Sequence, residues 1–511
     1  MKKKRLMMTA GCALCLPVVS CTERQDDRPN VLLILADDLG KEWIQQYGAE
    51  DIGLPNLQRL ADQSVVFDRA YSMAQSTPSR ACILTGQYPF NSGWVNHYGV
   101  SSWQNGMHFD ADRNPCFTKQ VKAAGYHTCI SGKWQLNDFR VEPDVMTEIG
   151  FDEYLMWTGD MRGKPFPVPA ARRYWDPYLH SKEGSRSYPG EFGPDKYSDF
   201  IIDFIRRHRD GPFFAYYPMA LVHMPYVTTP HSLEAKTQFE KHVGMIKYMD
   251  FIIGKLLDCL EQEGLMEDTY IIFTTDNGTA KTCFNKRNGR IVVGGKSILS
   301  ENGVNCPFMI HVPGQKTGRK TQALTDFTDI APTILDITGS RREEGHLLDG
   351  QSLLPVLNGQ EQTREERYAI GMGSYPAMIN EEGRVVNTKA FRDRVIIGET
   401  YKIYLTCDRE IDRVYKILED PFEEHNLVET HLSEALEELG GVISTLPEKD
   451  NDFDYIYLPH DPESDIAPEE LNALGNSRDY DNFRPLGTER QYLDFRAGKR
   501  YISSSRSNVL R

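Results

Sequence analysis

The chain has 511 residues, of which 40% are hydrophobic and 26% charged, a composition ordinary for a globular protein of more than one domain. Its formal net charge of −15 at pH 7 argues against binding to nucleic acid, because proteins that bind phosphate backbones are usually basic. The charge leaves room for one small anion pocket built from a few Lys and Arg side chains.

The N-terminal residues have the composition of an export signal. Met1–Arg5 is basic, and Leu6–Ser20 is an apolar stretch too short to span a bilayer comfortably. Small residues followed by Cys21 resemble a bacterial lipobox, in which the cysteine is lipidated; the alternative is an ordinary cleaved signal peptide. We expect residues 1–20 to be a signal peptide of lipoprotein type and 21–29 to be a polar tether. The mature protein is then exported, in the periplasm or at the outer membrane, with membrane contact only through the lipid anchor.

Two continuous apolar runs predict buried strands. Asn30–Ala36 and Tyr270–Thr274 show no alternation with polar residues, which is typical of strands covered on both faces. Helical spacing of apolar residues predicts a helix over about Val243–Glu263. Buried strands that alternate with helices indicate an α/β fold with a large, mostly parallel sheet flanked by helices.

Both predicted strands are followed by oxygen-bearing side chains. Asp37 and Asp38 follow the first strand, and Asp276 and Asn277 follow the second. Ligands of parallel sheets bind beyond the carboxyl ends of the strands, so we expect both pairs in one site. Adjacent carboxylates repel each other unless a hard divalent cation or a proton is bound. A lone Asp-Asp pair is more often a solvated loop, and two such clusters at strand ends favour a cation site only together with the motif that lies between them in the chain and is described below.

The remaining organisation is read from changes in composition. Tyr154–Asp195 is rich in Trp, Tyr, Pro, Gly and Arg and has weak periodicity, which predicts a long functional loop. We expect a catalytic domain over 30–363, a smaller C-terminal α+β domain over 364–450 with strands at Arg394–Leu405 and Arg413–Leu418, and a polar tail over 451–511 that wraps the surface.

Seven cysteines beyond Cys21 are scattered through the chain, and none of them forms a CxxC pair that would suggest zinc. We expect most of them to be free and buried, with one or two disulfide bridges among them. They are Cys82, Cys116, Cys129, Cys259, Cys283, Cys306 and Cys407.

Ser76–Arg80 (STPSR) precedes an apolar run and predicts the start of a helix. By itself this segment is most simply a helix cap. A helix N-terminus is also an anion site, however, and Arg80 adds a fixed positive charge to it.

The eleven residues from Ser76 read STPSRACILTG and resemble the sulfatase signature of the alkaline-phosphatase-like superfamily. In that family the first residue, Cys or Ser, is oxidised to formylglycine (3-oxoalanine) by a maturation enzyme, which the resemblance implies for Ser76. The resemblance also implies an alkaline-phosphatase-like fold. Asp37, Asp38, Asp276 and Asn277 resemble the calcium ligands of the family, with the modified Ser76 side chain completing the metal shell.

Other family blocks follow in order. Gly132–Leu136 (GKWQL) resembles the G-K-W-H-L block, which implies that Lys133 holds a sulfate oxygen. Gln135 replaces the family histidine that helps to release sulfate, and Gln cannot act as a base. Either release is slow, or another group takes the proton while Gln135 positions sulfate or a sugar hydroxyl. His223 (in LVHMP) and Lys296 (in GGK) resemble the residues that face the leaving oxygen of the ester.

The resemblance covers about Pro29–Leu427 and implies a sulfuric ester hydrolase. The mechanism that the resemblance implies is attack of formylglycine hydrate on sulfur, with calcium polarising the attacking hydroxyl. Arg80, Lys133 and Lys296 stabilise the sulfuryl oxygens, and His223 protonates the departing alcohol.

An exported bacterial sulfatase implies a sulfated carbohydrate as substrate and a formylglycine-generating enzyme as partner. We expect substrate contacts from His97 and Gln135, and specificity also from Tyr154–Asp195 and Lys281–Arg290. Two alternatives stay open. One is a phosphatase or phosphodiesterase of the same superfamily with unmodified Ser76 as nucleophile, although the further Asp and His ligands of a second metal are not found. The other is an inactive, surface-anchored glycan-binding lipoprotein, for which Gln135 is the support.

Overall fold

The computed structural model describes most of the chain. None of the described helices is long and apolar enough to cross a membrane. The predicted export signal with Cys21, and the predicted substrate contact His97, lie outside the described part. The described residues are 26–96, 109–110, 112–159, 170–360, 367–374, 378–379, 384–386, 389–451, 455–456 and 483–499.

A large mixed sheet forms the centre of the predicted catalytic domain. The strands of this part of the chain are β1 (Asn30–Ala36), β2 (Ser64–Tyr71), β3 (His127–Lys133), β4 (Glu153–Trp157), β5 (Tyr178–Ser181), β6 (Gly184–Ser187), β7 (Phe213–Pro218), β8 (Thr269–Thr275), β9 (Phe284–Arg287), β10 (Arg290–Val293), β11 (Phe308–His311) and β12 (Arg319–Asp326). Of these, β9 and β10 form a separate hairpin, and the others belong to the large sheet. Within the described residues the large sheet has ten strands in the order β12-β2-β11-β8-β1-β7-β3-β4-β5-β6. The central strands β8, β1, β7, β3 and β4 pair in parallel, whereas β11 and β5 run antiparallel to both of their neighbours. This sheet confirms the predicted α/β fold.

Helices flank the sheet, and the longest of those described is the predicted one. It spans Gln238–Gln262 and begins with a capping box, in which Thr237 and Glu240 satisfy each other's main-chain N–H groups. The helices are α1 (Pro55–Ala61), α2 (Ser76–Thr85), α3 (Pro89–Ser92), α4 (Phe117–Ala123), α5 (Val145–Glu148), α6 (Gly193–Arg207), α7 (Gln238–Gln262), α8 (Glu301–Val304), α9 (Ile330–Thr338), α10 (Leu354–Leu357), α11 (Val428–Thr445) and α12 (Glu489–Arg496).

Both faces of the large sheet are covered, which accounts for the unbroken apolar runs in its central strands. In β1, Val31, Leu33 and Leu35 belong to the hydrophobic core on one face. Leu32 and Ile34 belong to the core on the other face. Because successive side chains of a strand point to opposite faces, a strand covered on both sides needs apolar residues at every position.

The C-terminal part carries smaller antiparallel sheets. Its strands are β13 (Ala369–Met372), β14 (Met378–Ile379), β15 (Arg384–Val386), β16 (Arg394–Ile397), β17 (Tyr401–Leu405), β18 (Ile411–Lys416) and β19 (Tyr455–Ile456). One sheet has the order β13-β16-β17-β18 and the other β14-β15-β19, and α11 packs on β17 and β18. The expected single strand over Arg394–Leu405 is wrong, because a tight turn divides it: the N–H of Gly398 donates to the carbonyl oxygen of Tyr401 over 2.8 Å.

Two further expectations are corrected. Tyr154–Asp195 is not a single long loop, since β5 and β6 lie within it and extend the sheet, and α6 begins at Gly193. These strands have only four residues each at an antiparallel edge, which is too short to show a clear period. The expected disulfide bridges are wrong for the buried cysteines that the structure describes, which are free: Cys82, Cys116, Cys129, Cys259, Cys283 and Cys306.

The described part of the predicted tail, 483–499, packs on the predicted catalytic domain. The carbonyl oxygen of Pro485 accepts hydrogen bonds from the N–H of Val293 over 3.0 Å and from the Asn302 side chain over 2.9 Å. Helix α12 follows and lies against β9 and α7.

Candidate active site

The carboxyl edge of the large sheet brings the two oxygen-bearing clusters together. β1 and β8 pair in parallel register to their last residues, so Asp37 and Asp276 leave the sheet side by side. The N–H of Asp38 donates to Asp276 Oδ1 over 3.1 Å, and Asn277 Nδ2 donates to Asp38 Oδ1 over 2.8 Å. All four side chains are buried. The order of the strands therefore creates one compact acidic site from segments more than two hundred residues apart.

Ser76 is the first residue of α2 and is fully buried. Its Oγ donates to Asn277 Oδ1 over 3.3 Å. The helix ends one residue before Gly86, which adopts a left-handed conformation with φ of 67°. The hydroxyl is thus held at a helix N-terminus, where main-chain N–H groups favour negative charge, and directly beside the acidic cluster.

Arg80 lies one turn further along α2 and ties the helix to two strands. It donates to Asp276 Oδ2 over 2.8 Å and to the carbonyl oxygen of Lys133 over 3.1 Å. The guanidinium is almost completely buried. A charged group held by hydrogen bonds in this way keeps one geometry, as electrostatic stabilisation of a reacting group requires.

Two lysines face the acidic cluster. Lys133 is the last residue of β3, and its Nζ lies 2.7 Å from Asp37 Oδ2. Lys296 Nζ lies 2.7 Å from Asp38 Oδ1. Burial lowers the pKa of Lys133 to about 8, an effect that the Asp37 carboxylate opposes and the Arg80 charge reinforces.

The oxygen atoms of the cluster form a donor set suited to a hard cation. Oδ1 of Asp37 is buried and has no hydrogen-bond partner among the described residues. Oxygen atoms of Asp37 and Asp38 and a ring nitrogen of His223 lie within 4.8 Å of one another, which makes this a possible metal site. Carboxylate and amide oxygens are the usual protein ligands of Ca²⁺. The residues present therefore fit a divalent cation.

The charge balance of the site points the same way. Three carboxylates face three basic side chains, so the cluster is formally neutral when His223 is neutral. A dication bound there leaves a positive excess, which an anionic ester then offsets. The carboxylates are Asp37, Asp38 and Asp276, and the basic residues are Arg80, Lys133 and Lys296.

His223 follows β7 and lies on the Asp38 side of the cluster. Its Nε2 is 3.5 Å from Asp38 Oδ2, and its Nδ1 is 2.6 Å from the carbonyl oxygen of Met224. Burial, and after it the charges of Lys296 and Arg173, hold the pKa of His223 well below its usual value. The lowered pKa favours the neutral form of the ring.

Arg173 is a site residue that the sequence patterns did not single out. Its guanidinium lies 3.1 Å from His223 Nδ1, donates to the carbonyl oxygen of Met224 over 2.6 Å, and stacks over the Trp157 ring at 4.4 Å. It belongs to the segment Tyr154–Asp195, for which only a general role in specificity was expected. Nothing in its immediate sequence marks it among the neighbouring arginines.

Gln135 lies two residues beyond Lys133, in a left-handed conformation with φ of 68°. Its Oε1 is buried and has no hydrogen-bond partner among the described residues. A buried acceptor without a partner costs free energy unless a ligand supplies a donor. This makes Gln135 a candidate for accepting a hydrogen bond from a hydroxyl group.

A buried hydroxyl at a helix start, beside an oxygen-lined candidate cation site and three fixed positive charges, suits hydrolysis of an anionic ester. Residues 29–340 match the sulfatase family, and residues 294–439 match the family described as N-sulphoglucosamine sulphohydrolase, C-terminal. The chain belongs to the sulfatase family and is a sulfuric ester hydrolase.

Individual relatives agree with this membership. The chain is 28% identical over 429 residues to arylsulfatase D of Homo sapiens, covering 68% of this chain and 72% of the relative. It is 27% identical over 490 residues to N-acetylgalactosamine-6-O-sulfatase of Bacteroides thetaiotaomicron, and the match covers 81% of this chain and 93% of the relative. The solved structure of Ps i-CgsB in complex with k-i-k-neocarrahexaose is 22% identical in sequence to this chain, with a TM-score of 0.68. The match covers 82% of this chain and 92% of that one, and the two proteins share the fold.

Proposed function

We propose that this sulfatase removes sulfate from a sulfated carbohydrate, with a formylglycine made from Ser76 as nucleophile and Ca²⁺ as the metal. The observation that carries the proposal is the contact of Ser76 Oγ with Asn277 Oδ1 inside a cluster of carboxylates and fixed cations. The same residues match the family signature and its metal-ligand positions. Within the described residues, Ser76 Oγ contacts Asn277 rather than a histidine base. An unassisted serine hydroxyl is a weak nucleophile, so modification supplies what the unmodified hydroxyl lacks.

The proposed metal ligands are Asp37, Asp38, Asp276 and Asn277, with the modified Ser76 side chain. When bound, calcium supplies Lewis-acid polarisation of the nucleophile and of a sulfuryl oxygen. Formylglycine supplies, as its hydrate, a carbon that bears two hydroxyl groups.

The side chains around the nucleophile divide the remaining tasks. Lys133, Lys296 and Arg80 hold the sulfuryl oxygens and stabilise the charge that builds up on them. His223 passes a proton to the departing alcohol, and the negative charge of a bound ester favours the protonated ring. Gln135 accepts a hydrogen bond from a hydroxyl of the ligand, because its Oε1 is buried and otherwise unpaired among the described residues.

The carbohydrate substrate is supported by two of the similar proteins. One is named as an N-acetylgalactosamine-6-O-sulfatase, and another was solved with a neocarrahexaose. Export of the mature protein, with lipidation at Cys21, is part of the proposal and is supported by the N-terminal sequence. The partners proposed are the sulfated glycan and a formylglycine-generating enzyme.

Sulfate release from a panel of defined sulfated saccharides tests the proposal. The full chain is produced together with an enzyme that matures serine-type sulfatases, and the peptide that contains Ser76 is weighed by mass spectrometry. We expect about 2 Da to be lost at Ser76, since oxidation of an alcohol to an aldehyde removes two hydrogens. Ser76→Ala should abolish release, and the matched surface variant Ser444→Ala should leave it unchanged. Full activity with an unmodified Ser76 peptide, or faster hydrolysis of an aryl phosphate than of the aryl sulfate, would contradict the proposal.

A further inference from the structure

A polar cavity of about 460 Å³ lies between the catalytic domain and the smaller C-terminal sheet. The segment after β1, the end of β2, the β9–β10 hairpin and the turn after β18 form its walls. Ser76, Lys133, His223 and Lys296 are not among the described residues that line it, so it is separate from the active site. Its basic residues are Lys41, Arg69, Arg287 and Lys320.

Three of these cations are directed at neutral oxygen atoms. Lys41 Nζ donates to a main-chain carbonyl over 2.8 Å and to the Asn305 side chain, and Arg287 Nε donates to a main-chain carbonyl over 2.9 Å. Arg69 donates to a main-chain carbonyl, and its buried Nε has no partner among the described residues. In the described part of the chain, none of the three has a carboxylate oxygen within 4.0 Å. Burial, reinforced by the charge of Arg287, lowers the pKa of Lys41 to about 7.

The acidic groups of the cavity do not cancel this positive charge. Asp68 contributes one carboxylate, 3.9 Å from Lys320 Nζ. Glu301 contributes a second carboxylate, and its Oε1 is 2.9 Å from the buried Lys402, which lies at the same distance from Glu423. Four basic side chains line the cavity against these two carboxylates, so a formal positive excess remains. Buried charges without a counterion are costly, and a ligand of opposite charge removes that cost.

We propose that this cavity binds an oxyanion, a sulfate or carboxylate group that is either carried by an acidic carbohydrate or free in solution. Guanidinium groups bind such anions through paired N–H donors, and Arg69 and Arg287 face the cavity from different elements. Arg287 also lies in Lys281–Arg290, a segment in which specificity residues were expected. The site does not depend on the identity of the nucleophile or of the metal.

A second cavity of about 380 Å³ adjoins the first and extends the polar space. The two cavities share Arg69, Gln322 and Leu418. The second adds Arg319, the carboxylate of Glu399, and Arg367, which pairs with Asp329 over 3.1 Å. The two volumes together are larger than a single small anion requires. This favours an acidic oligosaccharide over a single free ion as the source of the anion.

Calorimetric titration of the full chain tests the site. Sodium sulfate is titrated at constant ionic strength, and a chondroitin 6-sulfate tetrasaccharide is titrated separately, in a Lys296→Ala background that weakens anion binding at the active site. We expect Arg287→Gln to raise the Kd of the cavity at least about tenfold, since a hydrogen bond to a charged group is lost. Asp68→Asn should lower the Kd several-fold, because it removes the one carboxylate beside Lys320.

Arg290→Gln is the matched control. Arg290 lies on the same hairpin but pairs with Glu424 on the surface and does not line the cavity, so its substitution should leave the Kd unchanged. Binding of inorganic sulfate with this pattern identifies a site for the free ion. The same pattern with the tetrasaccharide alone identifies a glycan subsite. The proposal is overturned if the Kd of neither anion changes with Arg287→Gln or with Asp68→Asn. Asp68→Asn is expected to strengthen binding, so the test remains valid if the Arg287→Gln protein does not fold.

Discussion

Gln135 offers the sharpest test of how this sulfatase departs from its family. Its Oε1 is buried and unpaired within the described residues, so we expect it to accept one hydrogen bond from a neutral hydroxyl of the ligand. Such a bond contributes about 0.5–1.5 kcal/mol. Gln135→Ala should therefore raise KM about 2- to 13-fold, because about 1.4 kcal/mol corresponds to a factor of ten. The value of kcat should change little, since the bond is made equally in the ground and transition states.

Gln135→His is the informative partner of this variant. Residue 135 has a φ of 68°, and Gln, Ala and His all carry a Cβ, so the cost of the left-handed backbone is similar in the three proteins. A difference between them then reports on the side chain. We expect Gln135→His to raise KM as well, with no gain in kcat.

Rapid-quench kinetics with an aryl sulfate measures the first turnover, and steady-state sulfate release from a sulfated saccharide gives KM and kcat. We expect no burst of desulfated product from the unsubstituted enzyme. A clear burst before slow turnover, relieved by Gln135→His, would show that release of sulfate lacks a base and that the reasoning from the unpaired oxygen is wrong.

Three other perturbations have defined outcomes. Exhaustive chelation should abolish sulfate release and lower the Tm, because binding to the native state adds stability, and calcium should restore both; full activity after chelation would refute the metal site. Lys402→Met should destabilise the protein by about 3–5 kcal/mol in urea denaturation, because it leaves Glu301 and Glu423, each 2.9 Å from the lysine, buried without a cation; an unchanged midpoint would contradict the argument. Burial and the charge of Arg287 lower the pKa of Lys41 from 10.5 to about 7 in the folded state. Between pH 7 and pH 10.5 the unfolded chain therefore binds more protons at this lysine than the folded protein does. For this reason Lys41 makes the free energy of unfolding increase with pH across that window. Lys41→Met should flatten this increase in urea denaturation at pH 7 and pH 9, and equal slopes in the two proteins would show that the lysine does not titrate as described.

The sequence predicted those features that depend on neighbouring residues. The unbroken apolar run of β1 revealed a strand covered on both faces, because only such a strand needs an apolar side chain at every position. The helical spacing of apolar residues was visible over Val243–Glu263, most of α7, because this periodicity is also a relation between residues close in the chain. The motif that begins at Ser76, and the side chains that follow β1 and β8, were legible because each is contiguous in the chain.

Edge features were predicted less well. β5 and β6 have four residues each, and their sequence predicts part of a loop, because so short a segment shows no period. The turn at Gly398 divides what composition alone presented as one strand. Cysteine pairing also failed, since whether two thiols can be bridged depends on distances in the fold rather than on their number.

What the sequence by itself determined about this protein is the fold class, the family and the chemistry expected around Ser76. Only the tertiary structure placed Arg173 against His223 and gathered Lys41, Arg69 and Arg287 around one cavity. These contacts join residues from different elements, and their distances follow from the order of strands in the sheet and the seating of the C-terminal sheet against it. Local patterns do not encode that order, because it is selected by the packing of whole elements.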